Sequence, residues 1–168
     1  MTPPLEEIVS GGQSGADRAA LDIALRFDIP HSGWCPAGRR AEDGPLSTRY
    51  RLKETPSRDY AQRTRWNVRD SDGTVVFTFD PEATGGSKLT LDYAGNIGKP
   101  HLHIFRGLYQ AELDLYRFVV NCKIRRLNIA GSRESTNPGI YRWVMHILEN
   151  SIFWSEQHPN VLGGPGDG

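Results

Sequence analysis

Three short glycine-bearing stretches carry the residue types from which an oxyanion site can be built. They are Gly11-Gly12-Gln13-Ser14-Gly15, Thr84-Gly85-Gly86-Ser87, and the segment "GSRESTNPG" from Gly131 to Gly139. Each follows an apolar run and precedes residues with helical spacing. The first N–H groups of a helix have no partner within it, and glycine lets a ligand approach them closely, so such a junction suits a phosphate. Side chains beside the loops extend that chemistry: Gln13, Ser14 and Ser132 offer hydrogen bonds, and Lys88 and Arg133 offer positive charge. Ser14 also has the type and place of an N-cap. Asp17 falls in a first helical turn, where the helix dipole favours a carboxylate. Beside a phosphate it would repel, so a ribose hydroxyl or a metal is its fitting partner.

Other residues admit two readings each. Arg39 and Arg40, in "GRRAEDG", are forked donors suited to phosphate, yet Glu42 and Asp43 stand close enough to neutralise them. Tyr60, Arg63, Asn67 and Asp70 recur at i, i+3, i+7 and i+10 and share one helix face. That face either lines a pocket or forms a hydrogen-bonded surface stripe. Cys35 is either a thiol activated by the two arginines or a small buried residue. His31 with Cys35, and His101 with His103, have conceivable ligand spacing, but no metal site is expected. Neither GxGxxG nor GxxxxGK[ST] occurs.

The elements that must position these residues alternate. Strands are expected at Leu5–Val9, Gly73–Phe79, His101–Phe105 and "RLNIAG", and helices at Ala16–Phe27, about Ser87–Ile97, Ala111–Lys123 and Gly139–Asn150. Inward stripes fall on Ala20, Leu21, Ala24 and Leu25, on Leu115, Tyr116, Val119 and Val120, and on Tyr141, Val144, Met145 and Leu148. Alternation of this kind predicts an α/β fold, a mostly parallel sheet with helices on both faces. One domain is expected over 1–168. It would carry an ordered excursion at about 31–57, with short strands near His31–Trp34 and Tyr50–Lys53, and a flexible tail at about 159–168.

Composition narrows the function. Lys+Arg and Asp+Glu are 20 each, so no general nucleic-acid surface or polybasic membrane patch is expected and charge recognition must be local. Two distant cysteines and an N-terminus without a basic and apolar leader suit a soluble cytoplasmic protein, and no run reaches the roughly 18 apolar residues of a membrane span.

Five stretches in order, "IVSGGQSGADRAALDIAL", "GWCPAGRRAEDGP", "YAQRTRWNVRDSDGTVVF", "TGGSKLTLDYAGNIGKPHL" and "LNIAGSRESTNPGIY", resemble the proteins called putative molybdenum carriers, circularly permuted relatives of the YpsA group in the SLOG superfamily. The resemblance covers about Ile8 to Leu148. It implies a Rossmann-like three-layer fold and a site for a phosphorylated nucleotide-type ligand, with a nucleotide or molybdenum cofactor as the candidate, and a homo-oligomeric assembly is expected. Phosphoribohydrolases of the same superfamily carry PGGxGTxxE, whose glutamate assists cleavage of an N-glycosidic bond. On that pattern Thr84 replaces the proline, Gly85 and Gly86 keep the glycines, Lys88 and Leu89 replace Gly-Thr, and Asp92 falls at the glutamate. The expected function is therefore ligand binding and carriage. One alternative is an N-glycosidic hydrolase using Asp92 or Asp17 as acid and base, and another is a nucleotide-sensing or assembly module.

Overall fold

The computed structural model describes residues 5–152; the tail expected at about 159–168 lies outside them. The alternation read from the sequence is realised as a parallel sheet between two groups of helices. In chain order the elements are β1 (Glu7–Val9), α1 (Ala16–Arg26), β2 (His31–Ser32), β3 (Trp34–Cys35), β4 (Lys53–Glu54), α2 (Tyr60–Arg69), β5 (Gly73–Thr78), α3 (Gly85–Asn96), β6 (His101–Phe105), α4 (Ala111–Asn121), β7 (Arg126–Gly131) and α5 (Ile140–Ile152). The main sheet has the order β2-β1-β7-β5-β6, every pair parallel. Strand β5 is buried at all six positions, as expected where helices cover both faces. Helix α5 packs against both α1 and α4, and α2 packs against α3. The result is a three-layer, Rossmann-like arrangement.

The core runs from Ile8 and Ile23 through Phe77 and Ile129 to Ile140 and Leu148. Leu25 and Val120, expected on inward stripes, are instead 42% and 45% exposed. Each sits at the margin of its helix's apolar arc, where a position 100° away from its neighbour turns outward. Helix α3 starts at Gly85, two residues before the start that apolar spacing predicts. Glycines give no periodic signal, so the pattern cannot register the turn they form.

The expected strand over 31–34 divides in two. Residues 31–32 extend the main sheet beside β1, whereas 34–35 pair in parallel with β4, which lies at Lys53–Glu54 instead of Tyr50–Lys53. The break is at Gly33, with φ +141° and a Cα so close to Ser10 that a Cβ would come within 2.1 Å of its carbonyl oxygen. Between β3 and β4 the chain forms a satellite core with Leu21: Cys35, Ala41, Leu46, Tyr50 and Leu52 are all buried there.

Candidate functional site

The three glycine-bearing turns lie beyond the carboxyl ends of β1, β5 and β7, the edge where open parallel sheets bind ligands. They surround one cleft of about 300 Å3. Gly11, Gln13 and Asp17 line it from the first turn, Thr84 to Ser87 from the second, and Gly131, Ser132 and Arg133 from the third. Helix α2 closes it with Tyr60, Arg63 and Asn67, three of the four residues that share a face by spacing. The fourth, Asp70, accepts a hydrogen bond from Trp34 Nε1 at 2.8 Å.

The turns differ in what their amides do. In the first, the N–H of Gly12 donates to Ser10 Oγ (3.2 Å), that of Gln13 to Asp17 Oδ2 (3.2 Å), that of Ser14 to Gln13 Oε1 (3.0 Å) and that of Ala16 to the Ser132 carbonyl (3.2 Å). In the third, the N–H of Ser135 donates to Glu42 Oε1 (3.1 Å), and those of Gly139 and Tyr141 donate to the Glu134 carboxylate (2.6 and 3.0 Å). The protein's own side chains, and for Ala16 a backbone carbonyl, thus hold these donors, so the first and third turns present fewer amides to a ligand than expected. At the second turn, by contrast, no acceptor among the described residues meets the N–H groups of Gly85, Gly86 or Ser87; the first intrahelical bond is from Lys88 to the Thr84 carbonyl. An anion is favoured at such an end by open donors and by the helix dipole together.

The glycines divide the same way. A Cβ on Gly11 would lie 2.0 Å from Arg63 Nη1, one on Gly12 2.5 Å from Leu46, and one on Gly15 2.4 Å from the Ser132 carbonyl oxygen. In the first turn glycine serves the protein's own close packing. A Cβ on Gly85 or Gly86 would meet nothing within 4 Å, so there the backbone lies open to an incoming group.

Beneath the first turn, Arg63 Nη1 donates to Asp17 Oδ2 at 2.8 Å, with both side chains nearly inaccessible. Burial pushes the Asp17 carboxyl up from its ordinary value, opposed by Arg63 and by the Gln13 N–H. Two buried donors in this wall, Gln13 Nε2 and Arg63 Nε, have no hydrogen-bond partner. Glu42 joins the excursion to the site. It accepts from Ser14 Oγ, from the Ser135 N–H and from Ser135 Oγ (2.5 Å), and it lies 3.8 Å from Arg133 Nη1. Partial burial raises this carboxyl, but the hydrogen bonds from Ser135 and Ser14 outweigh it and hold Glu42 below the usual range.

Several residues singled out by type lie elsewhere. Arg39 donates to four backbone oxygens, those of Leu46, Ser47, Tyr50 and Leu52, and braces the excursion. Arg40 stacks 4.6 Å over the Tyr60 ring, and Arg133 approaches that ring at 5.2 Å from within the cleft wall. Lys88 and Asp92 pair at 2.6 Å on the exposed flank of α3, outside the cleft lining. Ser14 does not cap α1: Gly15 occupies the N-cap, and Ser14 Oγ accepts from the Glu134 N–H at 3.1 Å. Cys35 is buried in the satellite core, and burial pushes its thiol up, against the lowering by Arg39. His103 Nε2 lies 2.6 Å from Thr78 Oγ1, while the His101 ring is exposed near the Lys99 carbonyl.

The cleft also takes Thr90 and Asn128, neither of which carries a motif signal. Asn128 is the one polar residue inside the apolar run of "RLNIAG". A buried amide in the middle of a strand was the available clue.

The model of the circularly permutated YpsA SLOG family matches residues 8–152. No curated protein matches the chain. Among solved structures, the crystal structure of a "putative molybdenum carrier protein" from Syntrophus aciditrophicus SB is similar. It is 43% identical, with a TM-score of 0.85 over 90% of this chain and 98% of that one.

Proposed function

The chain belongs to the circularly permutated YpsA SLOG family, and from that footing we propose that it is a binding protein for a phosphorylated, nucleotide-type small molecule. The observation that carries the reading is the open start of α3, where the N–H groups of Gly85, Gly86 and Ser87 face a cleft with no protein acceptor. A phosphate seated there accepts from the amides, and Arg133 on the neighbouring turn after β7 supplies charge. The volume of about 300 Å3 is at the lower end of the range for small-molecule sites, roughly 300–1,000 Å3.

Binding without turnover is favoured over N-glycosidic hydrolysis. Asp92 stands on the solvent side of α3 with Lys88, and Asp17 is held by Arg63 and the Gln13 N–H, so neither carboxylate is free beside the anchor. Molybdenum cofactor falls within the proposed cargo class through its phosphate. Among the described residues no three His, Cys, Asp or Glu side chains gather to hold a metal ion directly, so such cargo would be gripped by its organic part.

Calorimetric titration with nucleoside monophosphates, coupled to an assay for ribose 5-phosphate, tests the reading. Saturable binding that weakens in Gly86→Ala, with no ribose 5-phosphate released, is the expected result. Release that Asp92→Ala abolishes would replace it with the hydrolase.

A further inference from the structure

The wall facing the phosphate anchor carries polar groups whose polarity the protein has fixed. The Gln13 carboxamide cannot turn over, because Oε1 already accepts the N–H groups of Ser14 (3.0 Å) and Glu42 (2.8 Å). Its Nε2 must therefore be the end that remains. That atom carries two hydrogens, belongs to a residue only 4% exposed, and has no acceptor. Arg63 is fixed in the same way. Nη1 is committed to Asp17 Oδ2, the guanidinium rests against Gly11, and Nε is buried without a partner. Native interiors rarely leave one such donor unpaired, and here two belong to residues that line one cleft.

An acceptor group completes the third position. Asn128, 2% exposed, lines the cleft and donates from Nδ2 to Thr74 Oγ1 at 3.3 Å. That bond assigns Nδ2 to Thr74, and no donor of the described residues reaches Oδ1, which is left as a free acceptor. The charge balance selects further. Arg63 is already offset by Asp17, so a second anionic group on this wall would be a buried charge without compensation. A neutral oxygen with two lone pairs can accept from both Gln13 and Arg63 at no such cost.

Resting on the reading of the cleft as a phosphorylated-ligand site, we infer that this wall recognises the lactam edge of an oxo-heterocycle, a ring carbonyl beside a ring N–H. Gln13 Nε2 and Arg63 Nε donate to the carbonyl, and Asn128 Oδ1 accepts from the ring N–H. An amino-heterocycle of the same size reverses both polarities: its NH2 meets the Gln13 donor, and its ring nitrogen meets the Asn128 acceptor. Sites built around buried hydrogen bonds reject such analogues strongly.

The test compares inosine 5′-monophosphate with adenosine 5′-monophosphate, which differ only at this edge, by calorimetry, with inorganic phosphate as a third titrant. The inosine nucleotide is expected to bind at least about tenfold more tightly. Gln13→Glu keeps the oxygen that accepts from Ser14 and Glu42 but turns the free end into an acceptor, and the preference is expected to shrink or reverse. Equal affinities of the two nucleotides for the unmodified protein overturn the lactam assignment alone. Failure of both nucleotides and of phosphate to bind overturns the underlying reading with it. Because the comparison on the unmodified protein decides the matter, it holds even if Gln13→Glu folds poorly.

Discussion

Arg63 Nη1 reaches Asp17 Oδ2 at 2.8 Å across 46 positions of the chain, through space that a side chain on Gly11 would fill. Helix α2 is thereby tied to the first turn of α1 beneath the cleft. Removing one member leaves the other charged and buried, so Asp17→Asn and Arg63→Met are each expected to cost about 3–5 kcal/mol. Urea denaturation measures this. The pair replaced together is expected to lose less than the sum of the two single losses, since no orphaned charge remains.

The two sets of glycines should separate in experiment. Gly11→Ala places a methyl group inside van der Waals contact of Arg63 and is expected to lower the unfolding free energy as overpacking does, by about 1–3 kcal/mol or more. Gly86→Ala meets open space within a helix. Its stability is expected to be unchanged or raised by up to about 1 kcal/mol, while nucleotide affinity falls. Equal effects of the two substitutions on stability would show that the distinction between packing and ligand glycines is wrong.

Glu42 should reveal itself through pH. Its folded pKa lies below the ordinary 4.5, so the folded state favours the ionised form. The resulting stabilisation is fully present above pH 4.5 and is lost as pH falls through the lower folded value. Thermal melts of the unmodified protein and Glu42→Gln are expected to differ most near pH 7 and to converge in acid. A gap that stays constant down to pH 3 contradicts the hydrogen-bonded carboxylate.

Lys88 and Asp92 form an i, i+4 pair with side chains 62% and 54% exposed. Replacing either by alanine is expected to change stability by no more than about 0.5 kcal/mol and to leave nucleotide binding intact. A large loss of affinity in Asp92→Ala would move the site onto the outer flank of α3.

Element order and the edge of the sheet that carries the cleft were legible because apolar runs such as "GTVVFTF" and glycine junctions are local signals. The shared face of Tyr60, Arg63 and Asn67 was legible too, from helical spacing alone. The division of labour among the glycine turns was not, since it depends on Glu42, Glu134 and Asp17 reaching amides that in two cases lie five or more residues away, and for Glu42 more than ninety. Arg39 shows the same limit. Its type suits phosphate, but its left-handed backbone, φ +54°, turns it inward onto four carbonyls of its own excursion. Asn128 was hidden for the opposite reason: it belongs to no motif, and only the sheet brings it to the cleft.

Amide chemical-shift mapping by 1H–15N NMR during titration with inosine 5′-monophosphate tests the central claim most directly. The account predicts that the N–H signals of Gly85, Gly86 and Ser87 move downfield as the phosphate engages them, while those of Gly12, Ser135 and Gly139 hold near their starting positions. Saturable binding that shifts the latter three and leaves the start of α3 undisturbed would contradict it.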